Sequence, residues 1–183
     1  MIDKANFYVI TGGPGVGKTT LIKELERRGY KCIPEVAREV IREQNTIGGD
    51  ALPWKDRELY SSLMLQRSVR DFTRLAEEKD IYFFDRGIPD TYGYKMLIHL
   101  PIDPELEYAA ITYRYNVAVF ILPPWTEIYE TDDERRQTLQ EAIDTYSALR
   151  AAYEGLGYRV VDVPLANVAQ RADFVLENIG RGL

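Results

Sequence analysis

The chain has 183 residues, 45% hydrophobic and 28% charged, an ordinary globular balance with enough length to bury a core. A net charge of −6 leaves no basic footprint for nucleic acid, no apolar run approaches a membrane span, and the N-terminus lacks the regions of a signal peptide. Cys32 is the only cysteine, which excludes an intramolecular disulfide and a cysteine-rich zinc site, so the expectation is one cytoplasmic domain over residues 1–183 with no nucleic-acid or membrane partner.

Phe7–Thr11, FYVIT, reads as a buried strand of the parallel-sheet type. Directly behind it, Gly12-x-x-x-x-Gly17-Lys18-Thr19 completes the phosphate-cradling P-loop pattern, and the chain continues to Arg28 as an amphipathic helix that stops at Gly29. A Gly-rich turn that happens to contain Lys-Thr is the competing reading. The strand before and the helix after are the context the motif demands, and they favour nucleotide binding. Gly12, Gly13, Pro14, Gly15, Val16, Gly17, Lys18, Thr19 and Thr20 are then the candidate cradle for ATP. Backbone N–H groups and the positive helix end converge on the phosphates, Lys18 adds a full charge, and Thr19 offers a hydroxyl to Mg²⁺.

Lys31–Ile33 reads as a short strand ended by Pro34, with a helix over Glu35–Glu43 and a loop from Asn45 to Asp50. Asp50 or Leu52 is expected to cap a long helix, about Trp54 to Lys79, with Pro53 in its first turn and Leu59, Leu63, Gln66, Arg70 and Thr73 along one line. Ile81–Phe84 is the next strand and delivers Asp85-Arg86-Gly87, followed by a helix from about Asp90 to Leu100. Asp103-Pro104 opens another helix, and Asn116–Leu122 is a continuous apolar strand broken by Pro123-Pro124. Thr131–Glu134 forms a capping box for a long helix whose expected buried stripe is Leu139, Ala142, Ile143, Tyr146, Leu149 and Tyr153. Tyr158–Val163 is the last strand and Asn167–Ile179 the closing helix. Five strands alternating with helices predict an α/β fold, a parallel sheet covered on both faces, with the ligand beyond the strands' carboxyl ends. Those ends carry Gly12, Glu35, Asp85 and Pro123.

Asp85 follows four apolar residues, the form of a Walker B carboxylate that holds Mg²⁺, against the simpler role of capping the next turn. Many ATP-hydrolysing machines place a glutamate next; here it is Arg86, which clamps anions or hydroxyls and does not activate water. Glu35 stands just past the second strand, either as general base for an attacking hydroxyl or as favourable charge at a helix N-terminus. Arg135 and Arg136 stabilise transferring charge from a closing lid, or else belong to a solvated helix face. Gln66 and Arg70, four apart, are weaker candidates for reading an acceptor, as is Arg38. Tyr92 and Tyr94 are candidates to stack on an acceptor ring but are more simply packing residues, and His99 and Cys32 are structural ones.

The P-loop, Glu35-Val36-Ala37-Arg38-Glu39, Asp85-Arg86-Gly87 with Asp90, and the basic capped helix together resemble the AAA-domain proteins of the NadR type. These are grouped with the ribosylnicotinamide kinase domain and, more distantly, with thymidylate and deoxynucleoside kinases. The resemblance spans nearly the whole chain. It implies a three-layer P-loop NTPase fold with strand order 2-3-1-4-5, a lid carrying arginines such as Arg135 and Arg136, and adenine near Pro164–Asn167. The Asp85-Arg86 pair and the lack of room for a small helical lid domain separate the chain from AAA+ machines. The sequence does not show the DNA-binding and adenylyltransferase domains of full NadR, so the acceptor does not carry over. The expectation is an ATP- and Mg²⁺-dependent phosphotransferase acting on an unidentified small, nucleoside-like acceptor. Lys18, Glu35, Asp85, Arg86, Arg135 and Arg136 are its candidate catalytic residues, and Thr19 and Asp85 its candidate metal ligands. The alternative is a nucleotide-binding switch or accessory ATPase working through a protein partner.

Overall fold

A computed structural model describes residues 1–125 and 133–179, the side chains of 133–138 excepted. In chain order the elements are β1 (Ile2–Asp3), β2 (Phe7–Gly12), α1 (Lys18–Arg27), β3 (Lys31–Ile33), α2 (Val36–Ile47), α3 (Arg57–Arg74) and β4 (Tyr82–Asp85). There follow α4 (Ile88–Leu97), α5 (Pro104–Thr112), β5 (Tyr113–Arg114), β6 (Ala118–Leu122), α6 (Asp133–Gly155), β7 (Arg159–Asp162) and α7 (Val168–Asn178).

Five strands form one parallel sheet in the order β3-β4-β2-β6-β7, the order the resemblance implies. Successive residues of β2 face opposite sides, as strand geometry requires. Phe7 and Val9 join a core with Phe84, Phe72, Leu106 and Tyr153, while Tyr8 and Ile10 join Leu21, Leu25, Phe120 and Val175 on the other face. β2 is buried along its whole length because helices cover both faces, which is why it reads as an unbroken apolar run. A separate two-stranded parallel sheet, β1 with β5, has no counterpart in the sequence reading, since Ile2–Asp3 and Tyr113–Arg114 are too short for any pattern.

Helix boundaries differ in four places. The α3 helix begins at Arg57, later than expected, because Asp56 is the true N-cap and accepts from the Leu59 N–H. It stops at Arg74 rather than near Lys79. Beyond it, the Lys4 ammonium donates to the carbonyls of Ala76 and Glu78, and Asn6 donates to those of Glu78 and Asp80. Its expected line is out of phase: Leu59, Gln66, Arg70 and Thr73 are exposed, and Tyr60, Met64, Leu65 and Phe72 face inward. The α2 helix runs on to Ile47 through the expected loop and ends at Gly48, whose φ of 68° suits only glycine well. The α4 helix spans Ile88–Leu97 instead of Asp90–Leu100, starting at Gly87 because Asp90 at its third position accepts from the Gly87 N–H. In α6, Ala142, Leu149 and Tyr153 are buried as expected, but Ile143 is exposed. The Thr131–Glu134 capping box lies outside the described residues.

Candidate functional site

The P-loop turns away from the carboxyl end of β2, and Gly17 at φ 84° delivers the chain into α1. No side chain caps α1, so its first N–H groups are left to face the loop's centre. Gly13 has no room for a side chain: a Cβ there would come within 2.8 Å of the Ala142 carbonyl oxygen and 2.9 Å of its Cα. The backbone of α6 is therefore laid directly on the P-loop.

Sequence-predicted groups from three strand ends meet here. Lys18 is buried, with its ammonium 3.4 Å from Asp85 Oδ1 and 4.0 Å from Glu35 Oε2. Arg86 Nε donates to Glu35 Oε1 at 2.9 Å, and its Nη1 donates to Asp90 Oδ1 at 2.9 Å. Arg38 Nε approaches Glu35 Oε2 at 2.7 Å, but without hydrogen-bond alignment and from an exposed side chain, so it adds little. Asp90 is the hub. Its Oδ1 also accepts from the Thr11 hydroxyl at 2.5 Å, and its Oδ2 accepts from the Gly87 N–H at 2.8 Å and the Tyr153 hydroxyl at 2.5 Å. These bonds hold Arg86 at φ 75°, a left-handed conformation costly to any residue with a Cβ.

The electrostatics separate the two carboxylates. Burial pushes Asp85 above the usual aspartate value and Glu35 adds to it, while Lys18 and Arg86 oppose without prevailing. At Glu35 burial also pushes upward, but Arg86, Lys18 and Arg38 outweigh it and hold the carboxyl below the usual glutamate range. Lys18 is drawn below the ordinary lysine value, first by burial and then by Arg86. Arg86 is raised: burial works against its charge, but Asp90 and Glu35 overcome it. Glu35 is thus an ionised carboxylate with a buried Oε2 that makes no hydrogen bond, and Asp85 has an equally unbonded Oδ1.

That Asp85 oxygen is the test for a divalent cation. Mg²⁺ takes oxygen donors, uses one or two protein groups and completes its shell with water and phosphate. A buried carboxylate oxygen with spare lone pairs, at the sheet edge where α1 presents Thr19, fits that habit. Among the described residues no three His, Cys, Asp or Glu side chains cluster as a self-sufficient metal site would.

The cluster opens into a cavity of about 860 Å³, within the usual range for small-molecule sites. Glu35, Asp85, Arg86 and Asp90 line it together with Pro14 of the P-loop. Its body is apolar and aromatic, with Val36, Met64 and Leu149 beside Trp54, Tyr60 and Tyr94. The rings of Tyr60 and Tyr94 meet edge to face, 5.6 Å between centroids. Arg57, Glu141 and Asp144 add charge to the wall.

The structure leaves Gln66 and Arg70 off this lining and exposed, with Arg70 bonded to Asp71. Met64 and Ser68, on the adjacent face of α3, line it instead. Tyr92 packs against the core. His99 is exposed past the end of α4, at φ 58°. Cys32 is half-buried in β3. Arg135 and Arg136 fall near the start of α6, and their side chains lie outside the described residues. Tyr94, a sequence candidate for stacking on an acceptor, does line the cavity, but sequence reasoning missed Thr11, Tyr153 and the rest of the wall, whose residues come largely from α2, α3, α4 and α6 and share no local signal.

The AAA domain family matches residues 7–171. The chain belongs to that family. Among solved structures, this AAA domain is similar to NadR in complex with NR, at 20% identity and a TM-score of 0.69, over 95% of this chain and 50% of that one. It is also similar to deoxyadenosine kinase from M. mycoides with products dCMP and dCDP (12% identity, TM-score 0.60, 96% and 99% covered). Shikimate kinase from Acinetobacter baumannii in complex with shikimate follows (15%, 0.53, 93% and 90%). A second NadR structure holds NAD and AMP-PNP. The AAA domain spans about half the length of the NadR structures it matches. None of the curated protein sequences matches it. Its architecture is that of a P-loop nucleotide-binding, kinase-like fold of the NadR type. No helix among the described residues is long and apolar enough to cross a membrane.

Proposed function

We propose that this AAA domain transfers the γ-phosphoryl group of ATP to a hydroxyl of a small, nucleoside-like acceptor seated in the cavity. The observation that carries the reading is the ionised Glu35 carboxylate, held by Arg86 on the cavity wall and facing Lys18. A carboxylate there accepts the acceptor's proton as its oxygen attacks phosphorus, while the bond from the γ-phosphorus to the ADP oxygen breaks. Lys18 and the α1 N–H groups hold the phosphates. Arg86, already paired on both sides, keeps Glu35 oriented and excludes the water-activating acid of a hydrolase from this position. Thr19 and Asp85 would hold Mg²⁺, which when bound neutralises phosphate charge. Arg135 and Arg136 supply further positive charge as the lid closes.

A hydroxyl acceptor is favoured over a phosphate acceptor by the balance of charge. Lys18 and Arg86 are committed to carboxylates, and Glu141 and Asp144 add negative charge to the wall. Arg57 is exposed and its Nε donates to the Pro53 carbonyl. The apolar and aromatic body suits a planar ring. NR, shikimate and dCMP in the structural neighbours support a small-molecule acceptor of this size. The experiment is a panel of nucleosides and nucleotides incubated with ATP and Mg²⁺, scored for phosphorylated acceptor. Glu35→Gln should bind ATP as the wild type does and lower transfer roughly 10²–10⁴-fold. Turnover unaffected by every acceptor and by Glu35→Gln would favour the accessory-ATPase alternative.

A further inference from the structure

Among the described residues Lys18, Lys95 and Arg171 are the buried lysines and arginines, and Arg86 beside them is half-buried; three of these four are matched. Lys18 faces Asp85 and Glu35, Lys95 bonds Glu58 and Asp103, and the Arg86 guanidinium bonds Glu35 and Asp90. The fourth is Arg171, 8% exposed, in the first turns of α7. It makes no ion pair with any described residue. Its one hydrogen bond among the described residues runs from Nη1 to the Val16 carbonyl oxygen at 3.3 Å, and its Nε is buried and unbonded there. The helix contributes no compensation either. Asn167 caps α7, so Arg171 stands near the positive end of the dipole, where a cation is disfavoured. A buried guanidinium at a helix N-terminus without an anion is an arrangement that folding alone does not reward.

Its position says what would compensate it. The guanidinium lies on the P-loop: a Cβ at Gly17 would come within 2.8 Å of Nη1 and 3.3 Å of Nη2. Its Cζ is 6.0 Å from the Trp125 ring centroid. Lys18 turns toward Asp85 and Glu35, which line the cavity, whereas Arg171 meets Val16, Gly17 and Trp125, none of which lines it, and reaches the loop from the α7 side. The two cations therefore approach the loop from different sides, Lys18 from that of the cavity and Arg171 from that of α7. We propose that Arg171 is a nucleotide-binding residue whose guanidinium binds the phosphate nearest the nucleoside, the α-phosphate. Its bond to Val16 holds it in reserve until the anion arrives. The inference rests on the proposed nucleotide site.

The test combines calorimetric titration of the full chain with MgADP and with inorganic tripolyphosphate, and thermal unfolding without ligand, for wild type, Arg171→Met and Arg171→Lys. Removing the unmatched charge should leave the ligand-free melting temperature of Arg171→Met unchanged or higher. It should weaken MgADP and tripolyphosphate alike, roughly 10–100-fold for loss of charged hydrogen bonds, with Arg171→Lys in between. Wild-type affinity in both variants overturns the proposal and leaves the P-loop reading intact, as does a lower melting temperature with affinity unchanged. Weaker MgADP with unchanged tripolyphosphate overturns the phosphate assignment in favour of the base. A wild type that binds neither probe overturns the nucleotide site itself. If Arg171→Met does not fold, Arg171→Lys decides alone: undiminished affinity for both probes overturns the proposal.

Discussion

Glu35 and Asp85 are both buried carboxyls at strand ends, yet their surroundings push them apart, Glu35 down and Asp85 up. The difference is chiefly Arg86, whose Nε bonds Glu35 at 2.9 Å, whereas the cation in ion-pair reach of Asp85 is the Lys18 ammonium at 3.4 Å. Divergent environments of this kind are how one site assigns two carboxylates two tasks. Lys18 serves both, so Lys18→Ala should remove most ATP affinity while the cradle's backbone stays in place. Calorimetric titration checks this, and unchanged affinity would end the P-loop assignment. Cys32 gives an independent check on burial in β3. Its thiol is pushed up to about 12, mainly by burial and secondarily by Glu26 and Asp85. The reactive thiolate is therefore scarce at pH 8, and labelling of the native protein by iodoacetamide should be far slower than labelling of the unfolded chain. Equal rates would contradict the packing of β3 against α1.

At the scale of elements, the junction of β4 with α4 carries the strain. Arg86 sits at φ 75° because Asp90, in the first turn of α4, binds its guanidinium, the Gly87 N–H, Thr11 of β2 and Tyr153 of α6 together. Asp90→Asn leaves Arg86 without one of its two carboxylates and cannot accept all four bonds. It should destabilise the protein by about 3 kcal/mol in urea unfolding. Tyr153→Phe loses a single hydroxyl and should cost about 1 kcal/mol. Equal small effects would mean the hub is not a unit. Near the start of α6, Arg135→Ala and Arg136→Ala should lower turnover while leaving ATP affinity within several-fold, because the proposed role of their charge is to stabilise the transition state. Single-turnover and binding measurements separate the two quantities, and full rates in both variants would make that helix face merely solvated.

What is legible in the sequence follows from where each signal resides. Residues immediately after strands are placed by a local rule, so Gly12, Glu35 and Asp85 can be assigned to one edge from the chain alone. The face of α3 cannot. Leu59 and Leu63 have the same helical spacing as Tyr60 and Met64, and only packing against α2 and α4 decides which pair is buried. Arg171 is illegible for a related reason: its contact with Val16 joins positions 155 residues apart.

In the whole molecule, strand order reverses at β2, between β4 on one side and β6 on the other, and the P-loop opens at that switch point. The α1 and α7 helices close one flank of the cradle, and α2, α3, α4 and α6 enclose the cavity on the other. The central claim is that the phosphoryl group passes to a bound hydroxyl and not to water. The direct measurement is phosphorus NMR of the products formed from ATP, Mg²⁺ and a nucleoside that raises the protein's melting temperature. A phosphate-ester resonance growing in step with ADP, and falling roughly 10²–10⁴-fold in rate in Glu35→Gln, is the result predicted here. Inorganic phosphate as the sole product, at a rate indifferent to the nucleoside and to Glu35, would contradict it.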